Sequence, residues 1–116
     1  MLLRESGRHT GDDYDLTAIV EDGTASGGVA AGQALVRYAD AFYEDGDAFA
    51  AARDRLHEEI GAEALVDAAG VLAIFNAVVR IADATGIPLE EQKARMSADF
   101  RGALGIDDYP AAAGKV

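Results

Sequence analysis

The chain has 116 residues, 21 of them acidic against 10 basic, a formal net charge of −11 and no cysteine. The missing thiols exclude disulfides, thiolate nucleophiles, Cys-x-x-Cys redox pairs and Cys-ligated zinc or iron–sulfur centres, and the negative charge repels both nucleic-acid phosphates and anionic membrane surfaces. Half the residues are apolar but only 7% are aromatic, with no Trp, so a single-domain core has to be built from Ala, Val, Leu and Ile. The carboxylates are spread from Glu5 to Asp108 rather than gathered in one run, the pattern of a solvated acidic surface. Lys occurs only at Lys93 and Lys115, a balance compatible with a salt-adapted cytoplasm.

Residues 1–27 are polar and punctuated by glycine, with one apolar patch at Leu16–Val20. They predict a loosely structured N-terminal arm with room for one short helix, followed by a helical domain over 28–104. Leu35, Tyr38, Ala39 and Phe42 fall at i, i+3, i+4 and i+7, on one face of a helix ending near Tyr43. Asp45-Gly46-Asp47 breaks the pattern, and Asp47 is expected to cap the next helix. Phe49, Leu56 and Ile60 give that helix its apolar edge, and Gly61 stops it.

From Ala68 to Val79 only Asn76 is polar. A helix apolar all round has to be surrounded, and this stretch is too short for a membrane span, so 62–85 is expected to be a long buried central helix. Gly86 suits a left-handed C-terminal stop and Pro88 the first position of a further helix. Glu90 and Glu91 favour that helix's positive end, and Leu89, Met96, Phe100 and Leu104 form its apolar row. Gly105 then releases a C-terminal tail, 105–116. No strand-like alternation and no internal repeat is present. The expectation is an all-α, compact bundle of about five helices around a long buried central helix. Because that helix carries more apolar surface than four short neighbours cover, a homo-oligomer is expected. The first residues lack the basic and apolar regions of a signal peptide, which points to a cytoplasmic protein.

The run from Val71 to Glu90, with its Phe75-Asn76…Arg80…Ala82-Asp83-Ala84…Gly86…Pro88-Leu89 pattern, resembles the C-terminal signature of the carboxymuconolactone decarboxylase and alkylhydroperoxidase D-like family. Ala34–Asp40 is similar to the family's helix after the active-site segment, and Leu56–Leu65 to its hairpin before the long helix, so the resemblance spans 28–104. It implies an alkylhydroperoxidase D-like helical fold and self-association. Redox members carry a Cys-x-x-Cys pair followed by a His N-terminal to this region. This chain has neither, and thiol peroxidase activity is not implied. A cysteine-bearing partner chain could supply such a segment. The family often has Asn directly before the Arg, where this chain has Val79.

On a helix advancing 100° per residue, Asn76, Arg80 and Asp83 share one stripe. Arg80 has the fork that grips a carboxylate or phosphate, and Asn76 can orient a polar group; equally, the three can satisfy one another or a neighbouring helix end. His57, between Asp54 and Glu58, and His9, near Arg8 and Asp12, are candidate catalytic bases that read as well as surface histidines. Two isolated histidines do not make a metal site, and the Asp12–Asp15 cluster lacks the spacing of a calcium loop, so no metal and no cofactor is expected. Tyr38 can stack on a ligand or plug the core. There is no phosphate-binding glycine loop and no serine-nucleophile elbow.

Three functions follow as expectations. The first is a non-redox, homo-oligomeric small-molecule-binding or scaffold protein. The second is a cofactor-free decarboxylase or lactone-type enzyme, in which Arg80 holds a small carboxylate and His57 or His9 moves a proton. The third is an acidic helical interaction domain that docks a basic partner. Neither nucleic acid nor membrane is expected as a partner.

Overall fold

A computed structural model describes residues 2–20, 24–44 and 46–113. It contains α1 (Leu2–Thr10), α2 (Gly32–Ala41), α3 (Asp47–Thr85) and α4 (Glu91–Ala103), with short 3-10 turns at Leu16–Ile19, Ile106–Asp108 and Pro110–Ala112. No strand occurs among the described residues, and the fold is all-α.

The N-terminal region is more regular than its glycines suggest, because local polar groups organise it where apolar periodicity does not. The N–H groups of Gly11 and Asp12 both donate to Gly7 O, at 2.7 and 2.9 Å, and close α1. The Asp15 carboxylate accepts from the Thr17 N–H at 2.9 Å and its hydroxyl at 2.7 Å, which caps the first 3-10 turn. The Asp15 N–H donates to Gly27 O at 3.0 Å and ties this region to the loop entering α2.

Packing between helices is concentrated in α2 against α3. Ala34, Tyr38 and Leu56 are buried at the centre, with Leu35, Phe49, Ile60, Leu65, Ala68 and Leu72 packed around them. Tyr38 stacks on Phe49 at a centroid distance of 5.5 Å, and Phe42 meets Phe49 edge-on at 6.2 Å. The short apolar face read from the α2 sequence is thus the seat on which α3 lies.

Gly61 interrupts α3 at φ 80° and ψ 173°, a conformation essentially reserved for glycine. Two helical halves result, 47–60 and 62–85, as the sequence predicts. Gly86 adopts φ 65°, and the Ile87 N–H donates to Ala82 O at 3.2 Å, satisfying a terminal carbonyl in the manner expected of a left-handed stop.

Three expectations are corrected. Asp47 is the first helical residue and does not cap; Gly46 holds the cap position with no side-chain bond. Pro88 lies outside α4, which starts at Glu91. Most important, the 62–85 segment is not a buried central helix in the single chain: Ile74, Phe75 and Val78 are 64%, 59% and 55% exposed. The cause is reach. The ten residues of α2 span about 15 Å, whereas 24 helical residues span about 36 Å, so on the second half α2 covers only the Leu65–Ala68–Leu72 side. The α4 row is likewise half covered, with Leu104 buried and Met96 exposed.

The compact bundle gives way to an open shape. The radius of gyration is 15.5 Å, against about 13 Å for a compact domain of this length. At the C-terminal end, buried Ser97 donates to Lys93 O at 2.7 Å, and Arg101 donates to Ala94 O at 2.8 Å and to Asp107 Oδ1 at 2.8 Å. The Arg101–Asp107 bond ties the Ile106–Asp108 turn back to α4.

Candidate ligand cleft

Where α2 ends, the face of α3 that it had covered continues uncovered, and its character changes from apolar to polar. Leu65, Ala68 and Leu72 occupy the covered part; Asn76, Arg80 and Asp83 follow along the same side, one turn apart. The helix repeat alone brings them together. With Tyr43, Leu72, Phe75 and Val79 they line a cleft of about 350 Å³.

Within it, Arg80 Nε donates to Asn76 Oδ1 at 2.8 Å. This i,i+4 bond lays the guanidinium along the helix. A planar cation beside an amide, a phenol and an apolar wall suits a carboxylate attached to a small apolar body, because the fork matches carboxylate geometry while Phe75 and Leu72 take the hydrocarbon. A second, apolar groove of about 430 Å³ runs on from the cleft, lined by Leu35, Tyr38, Ala39, Ala68 and Val71 together with Leu72 and Phe75. Those last two residues are shared by both spaces.

Tyr38 is buried and stacked on Phe49, so it packs the core and shows only an edge to the groove. His57 is exposed on the first half of α3, among the Arg53–Asp54 and Arg55–Glu59 ion pairs. His9 is exposed on α1. Neither histidine lines the cleft, and the structure does not bring them to Arg80. Sequence reasoning missed Tyr43 as a cleft residue. It lies just beyond α2 and outside that helix's apolar row, and only the chain reversal into α3 brings it to the cleft that Val79 also lines.

The acidic Asp12–Asp15 cluster is a set of turn bonds. Thr10 donates its hydroxyl to Asp12 at 2.6 Å and Tyr14 to the same carboxylate at 3.4 Å. Desolvation, and then the Asp12 charge and hydrogen bond, raise the Tyr14 hydroxyl above its ordinary value. The Thr17 side-chain and backbone donors hold Asp15 below the usual carboxylate range. Among the described residues, no group of three or more His, Asp or Glu side chains converges to hold a metal ion.

Comparisons with family models, with curated proteins and with solved structures give no match. The functional reading therefore rests on the cleft and on the resemblance carried by residues 28–104.

Proposed function

We propose that this chain is a cysteine-less, non-redox relative of the carboxymuconolactone decarboxylase type, with an alkylhydroperoxidase D-like scaffold. It works in the cytoplasm as a homo-oligomeric small-molecule-binding or scaffold protein. The observation that carries the proposal is the junction of the Arg80–Asn76 pair with the apolar groove across Leu72 and Phe75. It offers one end to a small carboxylate and the other to that ligand's hydrocarbon. Self-association is supported by the uncovered apolar face of α3, and a cysteine-bearing partner chain would meet the protein on the same open side. The decarboxylase or lactone-type reading assigns the proton to His57 or His9, and neither lines the cleft; the binding reading does not need them.

Calorimetric titration with benzoate, hexanoate and neutral benzamide tests the cleft. Benzoate is expected to bind in preference to benzamide. Arg80→Ala should weaken it about 10- to 100-fold, the value of a charge-assisted hydrogen bond, and Arg80→Lys should do so less. Carboxylate binding that Arg80→Ala leaves unchanged, or no binding by any of the three, would remove the ligand seat.

A further inference from the structure

We infer that the ligand is a straight-chain monocarboxylate of about ten carbons, held by its carboxylate at Arg80 with its alkyl chain laid along the trough between α2 and α3. The inference rests on the carboxylate reading of the cleft and adds to it the shape and length of the molecule.

The trough has a direction. Leu35 lines the groove with Ala68 and Val71, whereas Tyr43 lines the cleft with Asn76 and Arg80, so α2 and the second half of α3 advance side by side and the two spaces lie end to end. Leu72 and Phe75 belong to both. One end is polar; the other has no charged side chain in its lining. Packed helices stand about 8–10 Å apart, which leaves a long, narrow space beside them. A flexible chain can lie down in it, whereas a compact ring system fills one end and projects into water.

The head end sets the charge. Arg80 gives its Nε–H to Asn76 at 2.8 Å, which leaves the terminal nitrogens as the donors a carboxylate takes. Asp83 lines the same cleft and opposes a second negative charge, as does the net charge of −11. A single carboxylate is the match.

The length follows from the helix. The bond to Asn76 sets the guanidinium level with that residue, and Ala68 lies eight residues, about 12 Å, further back along the axis. An extended alkyl chain with bonds of about 1.5 Å advances about 1.25 Å per carbon, so about ten carbons span the distance. Because the trough is open on one side, each added CH₂ is worth about twofold in affinity, against about fourfold for complete burial.

Titration calorimetry of the wild-type chain with hexanoate, decanoate and tetradecanoate tests the length. Affinity is expected to rise about 10- to 20-fold from hexanoate to decanoate, and no more than about threefold from there to tetradecanoate. Adamantane-1-carboxylate, decanedioate and methyl decanoate should each bind at least about tenfold more weakly than decanoate. Val71→Glu, at a groove residue that is 57% exposed and so free to change without unfolding the chain, should weaken decanoate about tenfold and hexanoate less. Ile74→Glu, at an exposed residue that lines neither space, should change neither. An Arg80-dependent affinity that is flat from hexanoate to decanoate, or adamantane-1-carboxylate or decanedioate binding as tightly as decanoate, would overturn the inference and leave the carboxylate cleft standing. Decanoate binding that Ile74→Glu weakens as much as Val71→Glu does would put the chain outside the groove and overturn it too. Methyl decanoate binding as tightly as decanoate, decanoate binding untouched by Arg80→Ala, or no binding by any of these compounds would sink the cleft reading as well.

Discussion

Replacing Leu56 by Ala tests whether the α2–α3 hairpin is the only core the single chain has. Leu56 is 0% exposed and is the one large side chain fully enclosed among the described residues, held between Ala34 and Tyr38 of α2 and the surrounding Phe49, Ile60 and Leu65. The substitution removes three carbons, about 2.4 kcal/mol of transfer free energy at ~0.8 kcal/mol each. A cavity pinned between two helices cannot collapse fully and adds to this, for a total loss of about 3–4 kcal/mol. That is a large part of the 5–15 kcal/mol typical of a whole domain. Urea unfolding followed by circular dichroism should show the midpoint fall with the slope unchanged. The matched control is Phe75→Ala. At 59% exposure in the single chain, it should cost no more than about 0.5 kcal/mol at high dilution and several times that where copies associate. A loss below about 1 kcal/mol for Leu56→Ala would refute the reasoning, since the side chain would then not be where the folding free energy is concentrated.

Gly32→Ala should destabilise the chain by about 1–3 kcal/mol, because its Cβ would sit 2.0 Å from Ser26 O; thermal melting reads the shift, and an unchanged midpoint would mean that the 24–31 loop does not pack on α2. Arg101→Ala should lower the stability of the C-terminal end by about 2 kcal/mol by removing the donors to Ala94 O and Asp107. Faster amide exchange at residues 104–109 would show it, with α2 unaffected. For Asp15 the folded pKa is depressed, so its contribution is fully present above the unfolded value of about 3.9 and is lost as the pH falls through the lower folded one. The Thr17 amide proton should titrate with that lower midpoint, and a midpoint at or above the ordinary Asp value would contradict the cap.

The parts of the fold legible in the sequence were those decided locally. Gly61 and Gly86 stop helices because their backbone conformations exclude most side chains, and the Leu35–Tyr38–Phe42 row faces a core because helical spacing leaves it no alternative. The Asn76–Arg80–Asp83 stripe was legible for the same reason. The start of α4 was not: Pro88 satisfies a rule for helix starts, yet the chain runs three residues further before turning helical. The bonds that join Asp15, Thr17 and Gly27 in the N-terminal region were not legible, because they leave no apolar period to detect. The burial of 62–85 failed for a different reason. Hydrophobicity states that a surface needs cover and is silent on what provides it, and here the short α2 leaves most of that helix open. Tyr43 was missed because its place in the cleft depends on how two helices meet.

Sedimentation equilibrium of the full chain from about 1 to 200 µM tests most directly whether α3 is completed by other copies. An integral multiple of 12.1 kDa is expected at micromolar concentration, dissociating on dilution together with loss of thermal stability. A single 12.1 kDa species throughout, equally stable at both ends of the range, would contradict it.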